Sequence, residues 1–238
     1  PLSHIPLSFI LLGPFTSLPA LTLTKTSSVE YKDLFNALAA ILGQYPILLA
    51  NCTFVLVPGD NDAWASSFSA GAAGVLPLEP VPKMFTSRIA KAFAAANSEA
   101  RKEGGGKDRV EGEAIWTSNP CRVSLFGPTH EMVLFRDDLG SRFRRAAIRT
   151  AVPPSHIDPM EEDDTTPSAE EQADPQIVAA RKLTKTLLDQ GHLSPFRLQD
   201  RPVLWDYAEA LSLYPLPTSL VVCDPESGNW VMKYEGCT

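Results

Sequence analysis

Three places in this chain carry residue types suited to chemistry. The first is Val57-Pro58-Gly59-Asp60-Asn61-Asp62, a glycine turn directly after an apolar run. A turn leaving a parallel strand sets its polar side chains at the C-terminal edge of the sheet, where open α/β sheets place ligands. Consecutive oxygen-bearing side chains there suit a hard or borderline metal. The alternative is a capped turn, in which Asp and Asn bond their own backbone. The second place is Gln190-Gly191-His192-Leu193-Ser194-Pro195. A His after a helix-ending Gly is a ligand or general base, or else a hydrogen-bonded structural residue. Ser194 lacks the setting of a nucleophile elbow. The third is a run from Asp137 and Asp138 to Arg142, Arg144, Arg145 and Arg149. Acid early and base late suit a helix dipole; the other reading is a docking or DNA-backbone surface.

The remaining candidates exclude more than they offer. His4, His130 and His156 have no partner pattern, and neither a P-loop nor G-x-G-x-x-G occurs. Cys52, Cys121, Cys223 and Cys237 are scattered, without the clustered spacing of a zinc site. They read as reduced, buried thiols of an intracellular protein.

These residues must be held by folded elements. Ser8–Leu12 and Thr53–Val57 read as buried strands, each halted by Gly-Pro or Pro-Gly. Between them, residues 27–45 read as a helix with a Ser27/Glu30 capping box and an apolar face of Tyr31, Leu34, Phe35, Leu38, Ile41 and Leu42. Strand, helix, strand in this form predicts a parallel crossover unit. A helix over 83–100 packs through Met84, Ile89, Phe93 and Ala96. Short strands follow at 114–117, 122–126 and 132–135, then a helix over 137–148 with Leu139, Phe143, Ala147 and Ile148 inward. Another helix runs over 177–190 with Gly191 at its C′ position. Residues 219–223 and 230–234 read as two antiparallel strands, with Gly228-Asn229 supplying the turn.

Composition bounds the class. Among 238 residues, 44% are hydrophobic, which is globular. Lys and Arg number 21 against 28 Asp and Glu, a net charge of −7, which argues against binding nucleic acid by charge alone. No window approaches the ~18 apolar residues of a membrane span. Residues 101–113 are charged and glycine-rich and read as a flexible surface insertion. Residues 153–176 form a second, because 158–174 hold eight acidic residues and no basic one. Thr166-Pro167 inside it fits a proline-directed phosphosite. The chain opens at Pro1 with an apolar stretch that lacks the basic region of a signal peptide, and is read as a piece of a longer protein.

Seven segments, in order, resemble the B subunits of eukaryotic replicative DNA polymerases, and within them the epsilon branch of fungi. They are FILLGPF (9–15), FVLVPGDNDAW (54–64), SNPCRV (118–123), MVLFRDDL (132–139), LLDQGHLSPF (187–196), RPVLWDYAEALSLYPLPTSLVVCD (201–224) and YEGC (234–237). Together they cover nearly all of the chain outside the two insertions.

The resemblance implies an α/β fold of calcineurin-like metallophosphoesterase type: two β-sheets flanked by helices, incomplete here at both ends. Residues 1–238 are then one inactivated phosphoesterase-like domain, interrupted by the insertions at 101–113 and 153–176. Active relatives of the fold hold two metals that activate water for attack on phosphorus. Here Pro14 stands where the bridging Asp would be and Asp60 replaces a ligating Asn. Asn61 replaces the catalytic His beside Asp62, and Asp224 stands where a Gly-His-x-His loop would begin. The resemblance therefore implies no catalytic residue, no metal and no cofactor.

What it implies instead is a scaffold in nuclear DNA replication. The partners are the C-terminal zinc-binding region of the polymerase epsilon catalytic subunit and, through a missing N-terminal part, the replicative helicase. DNA is contacted indirectly or weakly, and no membrane is involved. Candidate interface residues are Trp205, Tyr207, Tyr214, His192, Arg142 and Arg145; Trp and Tyr dominate hot spots, and the alternative for each of the three aromatics is core packing. The alternatives are the B subunits of polymerase alpha or delta, and a metal-dependent phosphoesterase with atypical ligands.

Overall fold

The computed structural model describes residues 6–17, 25–62, 74–102, 110–146, 175–226 and 228–238. Two three-stranded sheets lie face to face, each covered on its outer side by helices. The first contains β1 (Ser8–Leu12), β2 (Thr53–Val57) and β3 (Glu113–Trp116), all parallel in the order β1-β2-β3. The second contains β4 (Cys121–Leu125), β5 (His130–Arg136) and β6 (Ser219–Cys223) in the order β4-β5-β6, with β4 antiparallel and β6 parallel to β5.

Strand periodicity makes the layers. Phe9, Leu11, Phe54 and Leu56 face outward onto α1 (Lys25–Leu42), α2 (Pro46–Asn51) and α3 (Lys83–Lys102), where they join Tyr31, Phe35, Leu49, Phe85, Ile89 and Phe93. Their alternates Ile10, Leu12, Val55 and Val57 face inward and meet Val123, Met132, Leu134 and Val221 of the second sheet. Val133, Phe135, Leu220 and Val222 face the opposite flank, onto α4 (Leu139–Ala146), α5 (Pro175–Gln190) and the loops that carry Leu193, Leu211 and Leu213. Apolar residues on both sides of each inner strand explain why β2 reads as a continuous hydrophobic run rather than an alternating one.

The helices start and stop as the residues dictate. Pro46 and Pro175 open α2 and α5, where a missing N–H costs nothing. Gly191, at φ +62°, ends α5 in the left-handed region that an L side chain resists. Corrections concern faces and ends. α1 begins at Lys25, so Ser27 lies inside the helix and is not its cap. Leu34 and Ile41 are exposed, and the buried stripe is Tyr31, Phe35 and Ala39. Met84 is likewise exposed, with Phe85 and Thr86 turned inward instead.

Residues 230–234 are not a strand. The outer edge of β6 is taken by Thr238, which donates to the Thr218 carbonyl (3.0 Å) and accepts from the Leu220 N–H (2.8 Å). Trp230, Met232 and Tyr234 are partly buried while Val231 is exposed, so the run keeps its alternation without pairing to a strand. The tight turn lies at Tyr234–Cys237 instead, where paired backbone bonds of 2.9 Å bracket Glu235 (φ 49°) and Gly236 (φ 82°). Two positive φ angles are the signature of a type I′ turn.

The first insertion contracts at both ends. Arg101 and Lys102 finish α3, Arg101 pairs with Glu111, Gly112 donates to the Ala50 carbonyl, and Glu113 begins β3. Residues 103–109 lie outside the described residues, as do His4, Trp64, Ala147, Ile148, Arg149, His156, the 158–174 acidic run and Thr166-Pro167. Gln176 and Ile177 belong to α5.

Candidate functional site

The C-terminal ends of β1, β2, β5 and β6 carry the polar residues singled out in the sequence. Gly13-Pro14 follows β1 and Pro58-Gly59-Asp60-Asn61-Asp62 follows β2. The two turns are pressed together. A Cβ on Gly59 would sit 2.5 Å from the Pro14 nitrogen, and one on Gly13 would sit 2.3 Å from the Asp62 Oδ2. Glycine is required at both positions because the backbones approach within a methyl's reach.

Asp60, Asn61 and Asp62 do not converge. Asp62 turns inward, is 2% exposed, and accepts from the N–H groups of Phe15 and Gly59 (each 2.9 Å) and from the Tyr31 hydroxyl (3.4 Å). Burial pushes its carboxyl up to about 6, against these donors and the Arg136 charge, which pull it down. Asn61 donates toward the Thr16 and Ser17 carbonyls at 3.4 and 3.3 Å. Asp60 points to neither and joins a different cluster. Of the two readings of this turn, one metal shared by three oxygens needs these side chains to turn to one point, and they turn to different partners. Among the described residues, no group of three or more His, Cys, Asp or Glu is placed to hold a metal ion.

Asp60, partly buried, joins a quartet with the buried Asp137, Arg142 and Arg201. The Arg201 Nη2 lies 2.7 Å from Asp60 Oδ1 and 3.0 Å from Asp137 Oδ1. Arg142 Nε lies 3.2 Å from Asp137 Oδ2, and its Nη2 lies 3.5 Å from Asp60 Oδ2. The Nη1 groups reach backbone: that of Arg142 donates to the Asp200 carbonyl and that of Arg201 to the Gly74 carbonyl, both at 2.8 Å. Burial raises the Asp137 pKa, and the two guanidiniums oppose it. Arg142, expected on a basic outer face of α4, is thus inside, whereas Arg145 is exposed. Arg201 was not singled out by the sequence; a lone Arg before a Pro gives no sign that its partners stand over 60 residues away.

Asp224, after β6, caps α4. Its Oδ2 accepts from the Gly140 N–H at 2.5 Å, and its Oδ1 accepts from the Glu226 N–H at 3.0 Å. A carboxylate at a helix N-terminus is favoured by the dipole. Burial and the nearby Asp138 raise its pKa, opposed by Gly140, Arg136 and Arg144.

His192 serves a turn. Its Nδ1 accepts from the Ser194 N–H at 3.0 Å, and half-burial lowers its pKa. The adjacent chain is laced to the loop after the 3-10 segment Trp205–Leu211: Leu193 donates to the Leu211 carbonyl (2.9 Å) and Leu213 to that of Gly191 (2.8 Å). Arg122 Nη2 reaches the carbonyls of Ser212 (3.2 Å) and Pro215 (3.1 Å). Tyr214, on this pinned loop, is 88% exposed, and Trp205 and Tyr207, within the 3-10 segment before it, are 77% and 62% exposed, so none of them is core.

Residues 3–229 match the family described as the B subunits of DNA polymerases alpha and epsilon. Among curated relatives, the DNA polymerase epsilon B subunit of Saccharomyces cerevisiae is 36% identical over 241 residues, covering 94% of this chain and 32% of its own. Its namesake from Schizosaccharomyces pombe is 35% identical, covering 98% and 34%, and that from Arabidopsis thaliana is 31% identical, covering 98% and 35%. The chain spans about a third of the length of these relatives. A match along nearly the whole chain, holding from fungi to a plant, establishes that it belongs to the B-subunit family of DNA polymerases alpha and epsilon.

Proposed function

We propose that this chain is the core of a non-catalytic scaffold of DNA polymerase epsilon, working in the nucleus, and that its fold is a calcineurin-like phosphoesterase with a degenerate site. Residues 1–238 act as one such domain. The scaffold holds the C-terminal zinc-binding region of the catalytic subunit and, through parts outside this chain, connects it to the replicative helicase. Family membership and the commitment of Asp60, Asn61, Asp62 and Asp224 to intramolecular partners support this reading.

The observation that carries the scaffold role is the exposure of Trp205, Tyr207 and Tyr214 on a 3-10 segment and the loop after it, backbone that is tied at Leu204 to Leu76 and at 211–215 to Arg122 and the 191–193 chain. Aromatic anchors presented on rigid backbone bind at low entropic cost. Arg145 and the His192 turn flank the same reading as candidate contacts. The test is co-elution of the full-length protein with the catalytic subunit's C-terminal region on a sizing column. A stoichiometric complex that is lost in a Trp205→Ala/Tyr214→Ala variant supports the assignment. A folded protein that forms no complex overturns it.

A further inference from the structure

The structure assigns Arg142 and Arg201 as built-in cations of the sheet edge: their guanidiniums bridge Asp137 and Asp60, the latter standing, on the resemblance, at a metal-ligand position. The inference rests on the degenerate-site reading above and deepens it.

The geometry is that of a bridged pair of carboxylates. Asp60 follows β2 in the first sheet and Asp137 follows β5 in the second, so the cluster closes the sandwich at one end. A single nitrogen, the Arg201 Nη2, contacts both carboxylates, at 2.7 and 3.0 Å. Arg142 contacts both as well, through Nε and Nη2. Asp137 and Arg201 are 0% exposed and Arg142 is 6% exposed, so these three charges are out of water and must be neutralised locally, while the Asp60 side chain, 14% exposed, sits at the rim. Two carboxylates and two guanidiniums do so without remainder. Arg suits the task because its charge is permanent and its fork carries five donors, so further N–H groups reach the Gly74 and Asp200 carbonyls.

The same residues do not fit a metal. A divalent ion at these carboxylates would stand against two fixed positive charges in a poorly screened site. The neighbouring oxygen donors, Asn61, Asp62 and Asp224, face other partners. The quartet is therefore neutral without an ion.

The test is a double-mutant cycle on the full-length protein, read as melting temperature in EDTA and in MnCl2, with bound Mn2+ measured after dialysis. The expectation is a wild-type melting temperature that is the same in both and no stoichiometric Mn2+. Arg201→Met, which strands a carboxylate, falls by roughly 10 °C. Asp60→Asn/Arg201→Met recovers at least half of that loss, because the Asp137–Arg142 pair remains. If Arg201→Met does not accumulate folded, recovery of folded protein by the double variant is the same readout. Losses that simply add, in a metal-free protein, overturn this inference alone. Wild-type protein that binds Mn2+ stoichiometrically and hydrolyses a phosphodiester overturns the scaffold reading with it.

Discussion

Arg136, at the end of β5, donates through Nε to the Gly13 carbonyl at the end of β1, 2.7 Å away in the other sheet. Its Nη1 holds Asp138 at 2.8 Å, and its backbone is gripped by the Asn119 amide, which accepts from the Arg136 N–H (3.1 Å) and donates to its carbonyl (2.7 Å). Asn119, fully buried, thus acts as a side-chain substitute for a neighbouring strand. The chain after β1 is located by the second sheet as much as by the first.

Arg136→Met should therefore destabilise the protein by roughly 2–4 kcal/mol, because it removes a charge-assisted bond and leaves a buried carbonyl unpaired. Thermal melts measure this. A loss within the few tenths of a kcal/mol of a surface change would refute the bridging role.

Gly59→Ala forces a methyl to 2.5 Å from the Pro14 nitrogen and 2.8 Å from its Cα. Both neighbours are backbone and cannot step aside. Destabilisation of roughly 2–4 kcal/mol is expected by the cost of overpacking a closed turn. Gly228→Ala, whose Cβ meets nothing within 4 Å, is the matched control and should melt with the wild type.

The Asp62 carboxyl is raised from 3.8 to about 6, chiefly by burial. Between those values the native state holds this proton while the unfolded chain has released it. Stability from this group is thus greatest at low pH and falls as pH rises through about 6. Asp137 and Asp224 are shifted upward too, with burial the largest cause of each. Asp62→Asn should flatten the melting-temperature profile across this window, and an unchanged slope would assign the effect to another group.

Trp205→Ala and Tyr214→Ala should leave the melting temperature within about 2 °C of wild type, since exposed side chains contribute within ~0.5 kcal/mol. Binding to the catalytic subunit's C-terminal region should weaken at least about tenfold by titration calorimetry, as for interface anchors. A large fall in melting temperature with binding intact would make these residues structural.

All six named strands and the principal helices follow from periodicity and punctuation. Apolar runs such as 53–57 end at Pro-Gly, and Gly191 stops α5. Residues 230–234 depart from expectation because alternation records a pattern without recording whether a sheet edge is free; Thr238 already holds that edge. The turn residues 58–62 were legible as polar groups at a sheet edge, but the directions of Asp60 and Asp62 were not. Those directions depend on Arg201 and Phe15, which come near only through the tertiary fold. Arg142 misled for the same reason: its spacing on α4 fits a basic surface, and only its partners show it inside. Trp205, Tyr207 and Tyr214 were interface candidates by residue type, which does not by itself separate an aromatic that packs inward from one that faces solvent; their exposure follows from the fold.

The layering has a consequence for how such a protein changes over generations. The flank under α1–α3 and the flank under α4–α5 bury separate clusters, divided by a thin inter-sheet seam of Val55, Val57 and Leu134 with their neighbours. Substitutions without shared partners have additive effects. One flank can accumulate replacements without altering what the other tolerates, while the seam answers to both and should drift slowest.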